Sequence, residues 1–179
     1  MKIFIASGSN DKIKNEYLEL TKNICEMLCK LDTTLVFGTY DKGMMGICYD
    51  TFKNNHKDII GITTLAYHDS NILFKDIKLI ERDSSFKRLE EIFKESDMFL
   101  FLPGGTGSLS ELLGIMEELK TNKVNKKIII YNYQGFYDEI INYFNLLDKR
   151  GFAYHEELNK LIIINNIEDL EREIKNERN

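Results

Sequence analysis

The sequence predicts an α/β protein, a parallel sheet of about seven strands with helices on both faces. Two observations carry that expectation. Short runs of branched and aromatic residues alternate with longer amphipathic runs from end to end, and polar glycine-bearing segments follow several of the short runs. The short runs are Lys2–Ser7, Thr34–Phe37, Ile59–Thr63, Ile77–Ile80, Met98–Leu102, Lys127–Tyr131 and Leu161–Ile164. Helices are expected between them, at about Lys14–Leu31, Gly43–Asn54, Ser84–Lys94, Ser108–Thr121, Phe136–Lys149 and Ile167–Lys175. In the first, Tyr17, Leu20, Ile24, Met27, Leu28 and Leu31 recur at three- and four-residue spacings, so one stripe faces a sheet. The stretch Thr64–Lys75 has no clear period and reads as a loop near the ligand-bearing edge of the sheet.

Composition sets the limits. The 179 residues, 43% hydrophobic and 30% charged, suit a single domain spanning 1–179. The apolar runs are strand-sized, far short of the ~20 residues that span a bilayer. Met1-Lys2-Ile3-Phe4 enters a strand without a signal-peptide pattern, so a cytoplasmic protein with no membrane partner is expected. A net charge of −5 disfavours nucleic acid as a partner, while one small phosphorylated ligand can still find a local positive pocket. Cys25, Cys29 and Cys48 form no CxxC pair and read as buried thiols. His56, His68 and His155 are scattered, so no metal site is expected, although His68-Asp69 sits in the irregular loop where a ligand could be met.

In parallel sheets, ligands bind beyond the carboxyl ends of the strands. Three polar segments are placed there: Ser7-Gly8-Ser9-Asn10, Gly38-Thr39-Tyr40-Asp41-Lys42-Gly43, and Pro103-Gly104-Gly105-Thr106-Gly107-Ser108. The third follows the apolar run Phe99–Leu102 and contains the chain's only proline. Its glycines let successive N–H groups converge on one anion, and a helix starting near Ser108 adds its positive end. The segment is neither a Walker loop nor a dinucleotide GxGxxG, and a plain tight turn is the competing explanation. Glu111 is expected in the first turn of that helix, beside the bound anion. Arg88 is expected near the start of its own helix, where the dipole disfavours a cation unless an anion offsets it. A surface pairing with Glu91 or Glu95 is its ordinary explanation.

Pro103-Gly104-Gly105-Thr106-Gly107-Ser108-Leu109-Ser110-Glu111 resembles the PGGxGTxxE signature of the Lonely Guy (LOG) family, long labelled "possible lysine decarboxylase". Ser96-Asp97 matches the family's Ser-Asp before the fifth strand, and Arg88 stands where the family carries its catalytic arginine. Gly8-Ser9 with Tyr17, Gly43-Met44-Met45-Gly46, Asn132-x-x-Gly135-Phe136-Tyr137-Asp138 and Gly151-Phe152 match further family segments in the same order.

The resemblance implies a Rossmann-like homodimer that hydrolyses the N-glycosidic bond of a nucleoside 5′-monophosphate to free base and ribose 5-phosphate. In plants and some bacteria the base is an N6-modified adenine, a cytokinin. It further implies Arg88 and Glu111 as catalytic residues. Substrate binding falls to Gly104, Gly105, Thr106, Gly107, Ser108, Gly8, Ser9, Gly43 and Met45, with no cofactor. Phosphate held by the N–H groups of Gly104 to Ser108 would fix the ribose over Glu111, which Arg88 keeps ionised. No lysine lies in a recognisable pyridoxal phosphate context, so a lysine decarboxylase is not expected. Where the family has three glycines after its second strand this chain has Gly38-Thr39-Tyr40, which predicts a different backbone path there. Two other readings compete: a non-catalytic nucleotide or cofactor carrier of the same fold, and a nucleoside deoxyribosyltransferase-like enzyme working through a covalent carboxylate adduct.

Overall fold

The computed structural model describes residues 1–66, 74, 76–122, 124–153 and 158–177. Strands β1 (Lys2–Ala6), β2 (Thr34–Phe37), β3 (Ile59–Thr64), β4 (Lys78–Arg82), β5 (Met98–Phe101), β6 (Ile128–Tyr131) and β7 (Leu161–Ile164) form one sheet in the order β4-β3-β2-β1-β5-β6-β7. Every neighbouring pair is parallel. The helices are α1 (Asn15–Lys30), α2 (Gly43–Asn54), α3 (Ser85–Glu95), α4 (Thr106–Asn122), α5 (Asp138–Lys149) and α6 (Ile167–Glu177).

The two-residue period of the strands sorts their side chains into two cores. Ile3, Ile5, Leu35, Phe37 and Leu100 pack with Ile24 and Leu28 of α1, Met44 and Phe52 of α2, and Leu170 and Ile174 of α6. Phe4, Ala6, Val36, Phe99 and Phe101 pack on the opposite face with Ile92 of α3, Leu112 and Ile115 of α4, and Phe144 of α5. Both faces of the central strands are therefore covered, which is why β1 and β5 read as nearly unbroken apolar runs. Cys25, Cys29 and Cys48 are buried free thiols in the first core. Those of Cys25 and Cys48 hydrogen-bond to each other, which together with burial pushes the Cys25 thiol well up.

Most element boundaries match the sequence expectation within two residues, and the differences that matter lie near the cleft. Helix α4 begins at Thr106 rather than Ser108, so Gly107 is helical and Glu111 falls in the second turn instead of the first. Helix α5 begins at Asp138, after a short 3-10 turn at Tyr133–Gly135 in which Gln134 and Gly135 have φ of 52° and 74°. Of the expected loop Thr64–Lys75, Thr64 ends β3, and residues 67–73 and 75, with His68 and Asp69, lie outside the described residues, as does His155. Phe74 is described and is buried edge-on against Phe37 and Tyr49.

Strand order reverses between β1 and β5, and ligand sites form at such a switch point. There the Gly8 N–H donates to the Pro103 carbonyl at 3.0 Å, and the Gly8 carbonyl accepts from the Met44 and Met45 N–H groups at 2.9 and 3.2 Å. This close approach requires Gly43. Its φ is +58°, and a Cβ there would lie 2.7 Å from the Asn10 carbonyl oxygen and 2.9 Å from the Ser9 carbonyl carbon. Gly43→Ala should therefore destabilise the fold by at least ~1–3 kcal/mol from backbone strain alone, measured by urea unfolding at neutral pH. An unchanged midpoint would contradict this account of the junction.

Candidate active site

A cleft of about 600 Å³ opens over the β1–β5 junction. One wall is the β5–α4 turn, Pro103 to Ser108, with Glu111. The other is the loop after β1, Ser7 to Lys14, with Tyr17 of α1 and with Met44 and Met45 of α2. Phe136 closes the apolar side, its ring edge-on to Tyr17 at 6.1 Å. Lys12 and Lys14 add positive charge to the wall opposite the turn.

The start of α4 is built to receive an anion. Gly105 stands at the N-cap position, its carbonyl accepting the Leu109 N–H at 3.1 Å. Helix geometry then leaves the N–H groups of Thr106, Gly107 and Ser108 without intrahelical acceptors, and a glycine cap offers no side chain to take one. The glycines differ in their reasons. A Cβ on Gly104 would lie 2.2 Å from the Ser108 hydroxyl oxygen, so that glycine serves packing. Cβ atoms on Gly105 or Gly107 would meet nothing within 4 Å, so the protein itself does not require glycine there. Both face the cleft, where the missing side chains leave room for a ligand against the backbone. Of the expected cradle of N–H groups from Gly104 to Ser108, that of Gly104 also acts on the Tyr137 hydroxyl.

Glu111 points its carboxylate at Arg88 across the packed pair of helices α3 and α4, with Nη1 and Oε1 2.7 Å apart. Arg88 is fixed a second time through Nε to the Ile62 carbonyl at the end of β3, at 2.9 Å. The side chains are only 19% and 14% exposed, so neither partner is a surface charge. The ordinary pairing expected of Arg88 is absent: Glu91 is held by Arg82, and Glu95 by Lys2 and Lys78. Ser84 caps α3, its hydroxyl accepting the Lys87 N–H at 3.3 Å. Arg88 thus sits in the first turn of α3, at the dipole's unfavourable end, and Glu111 supplies the offsetting charge. Gly38 leaves space for the guanidinium, since a Cβ there would lie 2.8 Å from Nη2.

Burial raises the Glu111 carboxyl above its ordinary value, and the Arg88 charge and hydrogen bond oppose that rise without cancelling it. Arg88 thus favours the ionised carboxylate, as expected, against a burial that favours the neutral one. Desolvation outweighs the cation because α4's second turn is walled in by protein, and the helix dipole has faded there.

Of the other expected site residues, Gly8, Ser9 and Met45 line the cleft, while Gly43 does not and is explained by the junction it permits. Ser7 and Asn10 fall in the first polar segment expected at the ligand-bearing edge, and Met44 in a matched segment, whereas sequence reasoning overlooked Lys12, Ile13 and Lys14 as lining residues. It noted Tyr17 as part of the first helix's apolar stripe and, with Phe136, within matched segments, not as lining residues. Thr39 adopts φ of 58°, a region glycine enters freely, and its methyl fits where Gly61 lacks a Cβ. Among the described residues, no three His, Cys, Asp or Glu side chains gather as a metal would need, and no helix is long and apolar enough to cross a membrane.

Two outcomes follow from this geometry. Gly107→Ala should stabilise the protein by ~0.5–1 kcal/mol through helix propensity while weakening phosphate binding, read by thermal unfolding and by titration with ribose 5-phosphate. A loss of both, or of neither, would contradict the open-space argument. The raised Glu111 carboxyl binds its proton more tightly in the folded state than in the unfolded state. Its stabilising contribution is thus complete below the ordinary value of 4.5 and is lost as pH rises through the raised value. The stability of the wild type relative to Glu111→Gln should therefore fall as pH increases from about 4 towards neutrality. A difference that stays flat or grows over that range would refute the shift.

Comparison with known proteins agrees with this picture. The chain is 24% identical over 153 residues to the cytokinin riboside 5′-monophosphate phosphoribohydrolase LOG2 of Arabidopsis thaliana, covering 85% of this chain and 72% of that protein. It is 24% identical over 163 residues to the LOG phosphoribohydrolase of Oryza sativa subsp. japonica, covering 90% and 67%. The fold is shared with the Moco carrier protein of Chlamydomonas rheinhardtii, at a TM-score of 0.69 and 15% identity over 98% of this chain and 96% of that one. A family model described as "Possible lysine decarboxylase" matches residues 45–174, which include most of α2, Arg88, the β5–α4 turn and Glu111. On that match the chain belongs to the LOG family, the group that carries this older description.

Proposed function

We propose that this protein hydrolyses the N-glycosidic bond of a nucleoside 5′-monophosphate, releasing the free base and ribose 5-phosphate. The observation that carries the reading is Glu111, the one carboxylate among the described residues that line the cleft, which sits on α4 one turn past its open N-terminus and is held by the largely buried Arg88 of α3. Phosphate on the N–H groups of Thr106 to Ser108 sets the ribose over the following turn, within reach of Glu111. As the C1′–N bond breaks, positive charge develops at C1′ and the ring oxygen. The carboxylate stabilises that charge and takes a proton from the attacking water, whose oxygen bonds to C1′; the departing base keeps the electron pair of the C1′–N bond and takes a proton from solvent, to which Glu111 then returns its own. A carboxyl raised by burial is better matched to accepting that proton near neutral pH than an ordinary glutamate. Arg88 orients Glu111 from behind, and Tyr17, Phe136, Ile13 and the two methionines offer an apolar shelf for a base.

The phosphoribohydrolase names of the relatives support this reading, and an N6-modified adenine is the base they suggest. A homodimer belongs to the same proposal, supported by the apolar side chains Phe86 and Leu113 left exposed on α3 and α4. The Moco carrier shares the fold only, and a carrier role makes a distinct prediction: retention of a ligand without cleavage.

The decisive experiment incubates the protein with a panel of nucleoside monophosphates and their nucleosides and follows free base by chromatography. Base should be released from monophosphates and not from nucleosides. Glu111→Gln should lose roughly two or more decades of turnover while still binding ribose 5-phosphate. Full turnover by that variant would remove Glu111 from the chemistry, and binding without release by the wild type would favour the carrier.

A further inference from the structure

The structure assigns to Tyr137 the role of positioning residue for the anion-binding turn. Its ring is buried, 2% exposed, and its hydroxyl donates to the Leu102 carbonyl at 2.7 Å, with the Gly104 backbone N–H near enough to act on the same phenol oxygen. These are the two peptide groups on either side of Pro103, so one phenol oxygen clamps the turn across its proline. Pro103 has no N–H to anchor it, and its carbonyl is already engaged by Gly8. Without the phenol, the buried Leu102 carbonyl would lose this donor, and the turn would have to move to satisfy it.

Tyr137 is itself held. Its backbone N–H donates to Asn132 Oδ1 at 2.7 Å, Asn132 Nδ2 donates to Asp138 Oδ1 at 2.7 Å, and the Asn132 N–H donates to the Ile164 carbonyl at 2.7 Å. Gly135, at φ of 74°, permits the turn, and a Cβ there would lie 2.4 Å from Asp138 Oδ2. The segment between β6 and α5 therefore reaches the cleft twice, through the Phe136 ring on its apolar side and through Tyr137 behind its anion side. Burial keeps the phenol protonated far above neutral pH, opposed by the Gly104 N–H and reinforced by the nearby Glu111 charge, so its donor bond to Leu102 persists at every working pH. A buried tyrosine filling core volume would be replaceable by phenylalanine without consequence for ligands. A clamp on the turn would not.

This inference rests on the anion-binding role of the turn and is tested by binding, independently of turnover. Ribose 5-phosphate is titrated calorimetrically into wild type, Tyr137→Phe and Asn132→Ser, with folding followed by circular dichroism. Tyr137→Phe should weaken ribose 5-phosphate at least tenfold, and Asn132→Ser should weaken it in the same direction by a smaller factor. With a nucleoside monophosphate as substrate, KM should rise about tenfold in Tyr137→Phe while kcat changes less than threefold, the division expected when ground-state phosphate binding is lost. Unchanged ribose 5-phosphate affinity in a folded Tyr137→Phe protein would overturn the inference. So would unchanged affinity in folded Asn132→Ser if the first variant fails to fold. A wild type that binds ribose 5-phosphate but releases no base from any monophosphate would sink the hydrolase reading and leave the Tyr137 comparison intact. A wild type that binds no ribose 5-phosphate would overturn both.

Discussion

The site depends on a short chain of backbone hydrogen bonds at the point where the sheet reverses its strand order. The Gly8 N–H meets the Pro103 carbonyl, and the Gly8 carbonyl receives the first N–H groups of α2. Loops after β1, β2 and β5 are thereby tied to one another before any ligand is considered. Main-chain bonds of this kind tolerate little lateral displacement, and the glycine at 43 is needed because a side chain there would hold the loops apart. Rigid strands below and paired peptide groups above give the cleft walls a fixed separation.

Upon that frame the second core layer delivers the chemistry. Arg88 and Glu111 come from α3 and α4, which pack side by side on one face of the sheet, with Leu89 seated against Gly114. The ion pair is mostly enclosed, so its geometry matters more than its net contribution to folding. A buried pair gains Coulomb energy and loses hydration in comparable amounts, and removing one member strands the other. Such a pair costs the fold something to keep unless it does something for a ligand, which is the sense in which its burial favours a functional over a structural account.

Much of this was legible in the residues themselves. Strand periodicity, the glycine turn and the family segments all lie in the linear sequence, and the pairing of Arg88 with Glu111 followed from the family resemblance alone. What was not legible was set by contacts between distant segments. The start of α4 was misjudged because three glycines read as loop, whereas the first turn of a helix tolerates them when the chain direction is fixed by a strand behind and a packed face ahead. The Glu111 carboxyl was expected to follow its nearest cation, but its burial is a property of the assembled layer and cannot be read from spacing. Gly104 looked equivalent to Gly105 and Gly107, and only the position of the Ser108 hydroxyl separates them. Tyr137 stood in a matched segment with no hint that its hydroxyl crosses to a turn 35 positions away.

Thr39 has a consequence of its own. A glycine run would leave the strand-to-helix connection supple, to be stilled only when a ligand arrives. Threonine wedged into the notch at Gly61 has surrendered that suppleness during folding, and the neighbouring Gly38 then presents a settled surface to the guanidinium. The conformational entropy of that connection is forfeited once, when the chain folds, so the guanidinium that holds Glu111 rests on a preorganised support.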